Sequence, residues 1–109
     1  MRMVLGFGML RIQGQSMAPT LQPGDYVILK RYGWLRHPRP EDVIVYAQGG
    51  PSVERGQLRV KRITDIRSNG EIVVRGDGVL SAPTGDLGPV APDRVQGRVI
   101  HVIRAKSAS

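Results

Sequence analysis

A chain of 109 residues with 14 Gly, 8 Pro and an apolar share of 40% has room for one globular domain with a modest core, which excludes a disordered tail. Sixteen basic residues against nine acidic ones leave a net charge of +7, a balance that attracts phosphates, anionic headgroups or acidic peptides without choosing among them. With no cysteine, disulfides, thiol catalysis and Cys-ligated zinc are excluded together, and the fold rests on packing alone.

The apolar opening MVLGFGML falls well short of the roughly 20 residues that span a bilayer. Its basic start is a single Arg and no small-residue cleavage pattern of a signal peptide follows, so the expectation is a soluble, cytoplasmic protein with at most peripheral membrane contact. Residues 9–13 are expected to form a first strand ending at Gly14, and residues 25–30 (DYVILK) a second, bounded by Pro-Gly. The RYGWLRHPRP stretch that follows is a loop, because Pro38 and Pro40 cannot sit inside a paired strand; Trp34 and Leu35 give it an apolar tip for the core or for a partner. DVIVYAQ, from Asp42, is a third strand, broken by GGPS. QLRVKRITDI then turns through RSNG into EIVVRG, and Asn-Gly between two β-rich runs is a strong hairpin signal. Residues 76–93 are rich in Gly, Pro, Ser and Asp and read as a loop, after which RVQGRVIHVI supplies a last strand before a polar tail from about residue 104. No stretch sustains the period of a long amphipathic helix. The expected architecture is a single all-β domain over residues 1–109, built of folded antiparallel sheets.

Among candidate catalytic groups, Ser16 precedes Met-Ala-Pro, and Pro19 stiffens the backbone that follows it, as a directed hydroxyl requires. A serine hydroxyl becomes a useful nucleophile only when a neighbouring base removes its proton. Gly14-Gln15-Ser16-Met17-Ala18 is superficially like a nucleophile elbow, with acids at 77, 86 and 93 and His101 downstream, but the chain has neither the length nor the helices of that fold. His101 occupies an ordinary strand position and His37 an Arg/Pro loop, so both read as structural or solvated. The other possible base is a neutral lysine. Moving a lysine from about 10.4 to about 8 requires roughly 3 kcal/mol of selective destabilisation of its charged form. Only Lys30, Lys61 and Lys106 are available, and Lys61 alone lies inside a strand. Alternation, however, groups Lys61 with Arg59, Ile63 and Asp65, which predicts an exposed side chain.

The string GQSMAPTLQPGDYVIL, VKRIT beginning at Val60, RGDG, and GPVAPDRVQGRVIHVI together resemble the signal peptidase I family of Ser/Lys proteases, over residues 12 to about 103. The resemblance implies a signal peptidase/LexA-like fold and a bacterial serine endopeptidase in which Ser16 attacks a scissile carbonyl and neutral Lys61 takes its proton. It further implies that the Ser16 N–H helps hold the oxyanion, that Ser81 orients the lysine amine, and that Met17 and Pro19 contact an extended substrate. The chain departs from the family pattern in carrying Gly78 where Asn is usual, in lacking an Asp-Ser-Arg stretch after it, and in placing Ser16 only 15 residues from the start, where signal peptidases carry a membrane anchor. With GPV near its end and a compact length, the chain looks most like the small anchorless branch of nickel-type superoxide dismutase maturation proteases, implying a precursor with an N-terminal extension as substrate. No metal or other cofactor of the enzyme itself is expected, because any nickel would belong to that substrate. Two other classes remain as alternatives: a LexA-type self-cleaving domain, and a non-enzymatic basic β-module for nucleic acid. Against the last, one Phe, one Trp and three Tyr are few for base stacking, so nucleic acid is not the expected partner.

Overall fold

The computed structural model describes residues 3–48, 57–78 and 89–105. Among these the chain forms six strands: β1 (Phe7–Arg11), β2 (Tyr26–Lys30), β3 (Val43–Gln48), β4 (Gln57–Ile66), β5 (Ile72–Arg75) and β6 (Val95–Ile103), with one short 3-10 turn at Pro92–Arg94. They make a single sheet in the order β1-β2-β6-β3-β4-β5, antiparallel throughout, so the protein is all-β. The first strand starts and ends two residues earlier than composition suggests. A tight turn with positive φ at Leu5 and Gly6 pairs Val4 with Phe7 and launches the strand there. Beyond Arg11 the chain keeps contact with the start of β2 through Ile12 N–H to the Asp25 carbonyl (2.7 Å) and Gly24 N–H to the Ile12 carbonyl (2.9 Å).

Apolar side chains leave the sheet on both faces. Ile44, Tyr46, Ile63, Ile72, Val74 and Val90 form one buried cluster; Ile12, Met17, Leu21 and Val27 form a second, against which Val43, Val60 and Val99 pack. Because β3 contributes Ile44 and Tyr46 to the first and Val43 to the second, it is apolar continuously rather than alternately. The β4–β5 hairpin forms where Asn-Gly marks it. Only Gly70 of that pair has positive φ, and its N–H bonds the Arg67 carbonyl (2.9 Å), so the chain reverses over Ser68 and Asn69 with Gly70 as the left-handed residue that follows.

β1 and β5 lie at opposite ends of the strand order, yet their continuations touch. The Gly78 N–H, just past β5, donates to the Ser16 carbonyl (2.7 Å), and the Asp77 N–H points at the Met17 Sδ (3.4 Å). A six-stranded sheet can join its two ends only by curling on itself, and the residues at that seam are the ones singled out for chemistry.

Candidate active site

Ser16 sits half-buried at the second position of a turn closed by Ala18 N–H to the Gln15 carbonyl (3.1 Å), and Leu21 N–H to the Met17 carbonyl (2.9 Å) fixes the next turn. The Ala18–Pro19 peptide between them is cis. Met17 is buried and anchors this loop in the second cluster, while Pro19 stands exposed. Met17 holds the loop down while Ser16 stays within reach of solvent. Among the described residues the Ser16 N–H has no backbone acceptor, leaving it available to a developing oxyanion.

Ser16 opens onto a cavity of about 560 Å3. One wall is the continuation of β1, residues 10–14 with Ser16 and Met17; the other is residues 58–60 of β4. Along this stretch β4 pairs with β3 on one side, and β5 joins it only from Arg62 onward. Among the described residues, then, the cavity lies between two strand edges that have no strand partner facing it, which is the geometry that accepts an extended peptide. Pro19 is not part of this lining.

Lys61 is the next residue along β4, and the structure reverses the expectation that it is exposed: it retains only 6% of its accessible surface. Ile63, on the same face, is buried in the first cluster, and Lys61 lies directly opposite buried Ile44. The grouping with Asp65 fails because the register shifts between Ile63 and Asp65, an irregularity that ends the simple alternation. Burial, followed by the nearby positive charge of Arg59, pushes the Lys61 amine below the ordinary lysine range. Among the described residues no hydrogen bond joins the Ser16 hydroxyl directly to Lys61; Ser81, named as the supporting serine, lies outside the described residues.

Residues around these two groups tie them to one frame. Arg62 donates to both oxygens of Asp77 (Nε to Oδ1 2.9 Å, Nη2 to Oδ2 2.7 Å) and to the Glu41 carbonyl (2.9 Å). The Arg62 hydrogen bonds, aided by one from Thr20, hold the Asp77 carboxyl below the usual range against the opposing effect of burial. Asp77 thus links the strand of Lys61 to the loop of Ser16. Gly78 completes the link because a Cβ there would stand 2.6 Å from the Gln15 carbonyl oxygen and 3.1 Å from that of Ser16. The departure from Asn at this position therefore has a steric reason in this chain. On the far side of the loop, buried Asp25 accepts from Ala105 N–H (2.8 Å), Gln22 N–H (2.9 Å) and Arg104 (3.0 Å); the Ala105 bond is the main cause of its lowered pKa.

Of the groups considered for a nucleophile elbow, Asp77 lies against the Ser16 loop but is paired with Arg62, and Asp86 lies outside the described residues. His101 is exposed on β6 opposite Ile28, and His37 is exposed in the loop before β3. Among the described residues no cluster of His, Asp or Glu could hold a metal, and no helix is long and apolar enough to cross a membrane. Residue-by-residue reading flagged neither Arg62 nor Asp77 as a pair. The available signal was that each stands within a quoted motif block, Lys-Arg and Gly-Asp-Gly, but their contact spans 15 residues and needs the folded sheet.

The model of the family described as signal peptidase, peptidase S26, matches residues 1–81. The chain belongs to this family. A search of curated proteins finds no match. Membership in the signal peptidase family makes the chain a peptidase of the serine type, and the matched region holds both Ser16 and Lys61.

Proposed function

We propose that the chain is an endopeptidase that uses Ser16 and Lys61 as a dyad to remove an N-terminal extension from a precursor protein. The observation that carries this reading is the buried, low-pKa Lys61 immediately following the β4 edge that walls the Ser16 groove. Bound peptide lies extended between residues 10–14 and 58–60, with Met17 beneath it and Pro19 flanking the loop. Ser16 Oγ attacks the scissile carbonyl and passes its proton to neutral Lys61. The tetrahedral oxyanion is held by the Ser16 N–H; Lys61 then protonates the departing amine, leaving an acyl-enzyme that water hydrolyses by the same steps in reverse. Catalytic hydrogen bonds commonly tighten only when substrate is bound, which accommodates a resting enzyme without a direct Ser16–Lys61 bond. Ser81 is assigned to orienting the lysine amine.

The proposed substrate class is a protein whose function requires a newly exposed N-terminus, with the precursor of nickel superoxide dismutase as the first choice. The test is incubation of purified enzyme with such precursors and mass-spectrometric mapping of new termini. Wild type generates one discrete terminus, whereas Ser16→Ala and Lys61→Met generate none. Undiminished cleavage by either variant rules out the dyad. Cleavage of other precursors but not of the dismutase precursor rules out only the substrate.

A further inference from the structure

Away from Ser16, the other end of the β1–β2 hairpin brings together charge and apolar surface that the peptidase reading does not use. Lys30 and Arg98 occupy directly opposite positions on β2 and β6, and a like-charge pair in register is unfavourable unless something anionic compensates it. With Arg31 and Arg36 they line a pocket of about 210 Å3 whose remaining wall is residues 32–35. Asp42 already neutralises Arg36 (2.9 Å), but among the described residues Lys30, Arg31 and Arg98 make no ion pair. The Lys30 ammonium lies 5.6 Å from the centre of the Phe7 ring, which steadies it without cancelling its charge.

The rim of this pocket is apolar and presented to solvent. Trp34 and Leu35 are 83% and 77% exposed, in a turn closed between Gly33 and Arg36. The loop is held in shape because Asp42 accepts from the Tyr32 hydroxyl (2.6 Å), the Arg36 guanidinium and the Arg39 N–H (3.1 Å). Arg31 N–H bonds the Gly6 carbonyl (2.8 Å), which sets the Val4–Leu5 turn beside the pocket with Leu5 94% exposed. Exposed Trp and Leu around unpaired cations form the surface that settles into the headgroup region of an anionic bilayer. Nucleic acid would reward several stacking aromatics, and the aliphatic Leu5 and Leu35 offer none.

We propose that this end of the molecule docks on an anionic lipid surface, with a headgroup phosphate held by Lys30, Arg31 and Arg98 and with Trp34, Leu35 and Leu5 set among the lipid chains. Along β1 only Phe7, Gly8 and Met9 separate this end from the start of the groove at Leu10, so the groove opens roughly 10 Å from the docked surface. This inference is independent of the peptidase reading.

Trp34 is the chain's single tryptophan, so its emission reports on this tip alone. The full chain is mixed with phosphatidylglycerol/phosphatidylcholine vesicles, with pure phosphatidylcholine vesicles, with inorganic phosphate and with a single-stranded oligonucleotide, and sedimentation and emission are read. Expected are co-sedimentation and a blue shift with phosphatidylglycerol only, both reversed by salt. Lys30→Gln with Arg98→Gln lowers partitioning by roughly 25-fold, and the exposed-site change Leu35→Ser by about tenfold. Equal binding to both vesicles, no binding to either, the same blue shift with phosphate alone, or oligonucleotide binding in place of vesicle binding overturns the proposal. If the charge variant fails to fold, the salt dependence of the wild type and the Leu35→Ser result decide it, and failure of either overturns it.

Discussion

The two ends of the β1–β2 hairpin are built to opposite specifications. At the Ser16 end, turns, the Arg62–Asp77 pair and the Gly78 contact constrain the backbone from several elements at once. At the Trp34 end, Asp42 fixes the loop from beneath while large apolar side chains and cations face outward. A group that must meet a reacting carbonyl within a fraction of an ångström needs the first kind of support, and a surface that only has to touch a partner does not. Substitutions should therefore separate the two ends cleanly.

The largest effects belong to the groove. Ser16→Ala or Lys61→Met lowers the cleavage rate by roughly 1,000-fold or more, while vesicle partitioning stays at the wild-type level; loss of both together would erase the distinction. Next comes Gly78→Ala, whose Cβ meets the Gln15 carbonyl at 2.6 Å. An overpacking cost of about 1–3 kcal/mol is expected, measured by urea unfolding, with a fall in kcat larger than the change in KM because the displaced loop carries Ser16.

Asp77→Asn removes the carboxylate from its paired Arg62 and costs about 2 kcal/mol near neutral pH. Since the folded state holds Asp77 below its ordinary pKa, this stabilisation is complete above the unfolded value and disappears as pH falls through the folded one. Wild type and variant should thus converge in acid, which thermal melts across pH will check. A smaller effect is expected from Arg59→Gln. Arg59 helps depress Lys61, so its loss raises the lysine pKa and moves the rising limb of kcat/KM to higher pH, by about threefold in rate at fixed pH on that limb. The smallest is Trp34→Ser, which should change stability by less than about 0.5 kcal/mol and leave cleavage of a soluble peptide unaltered.

Strand positions were largely legible because short β-branched runs bounded by Gly and Pro carry their own boundaries; β4 begins and ends where composition places it. The two-sided burial of β3 was legible in its unbroken apolar run. The environment of Lys61 was not. The β3–β4 ladder is regular at Lys61, and its face passes from exposed Arg59 to buried Lys61 and Ile63 and back to exposed Asp65, a change of cover that alternation along one strand does not reveal. Nor could local pattern show that the residues after β5 return to the Ser16 turn, since that depends on the curl of the entire sheet. The motif blocks pointed to the participating segments, and only their hydrogen bonds reveal how Thr20, Arg62, Asp77 and Gly78 hold those segments together.

The seam between residues 16 and 78 also bears on the order in which the molecule becomes competent. The Ser16 carbonyl finds its donor 62 positions later in the chain, 78 minus 16, so no local segment can finish the surroundings of Ser16 by itself. Closing so long a loop is slow relative to forming a hairpin. A chain still emerging from the ribosome would carry the serine for most of its synthesis without the brace that aims it, and cutting ability would arrive only with near-complete folding.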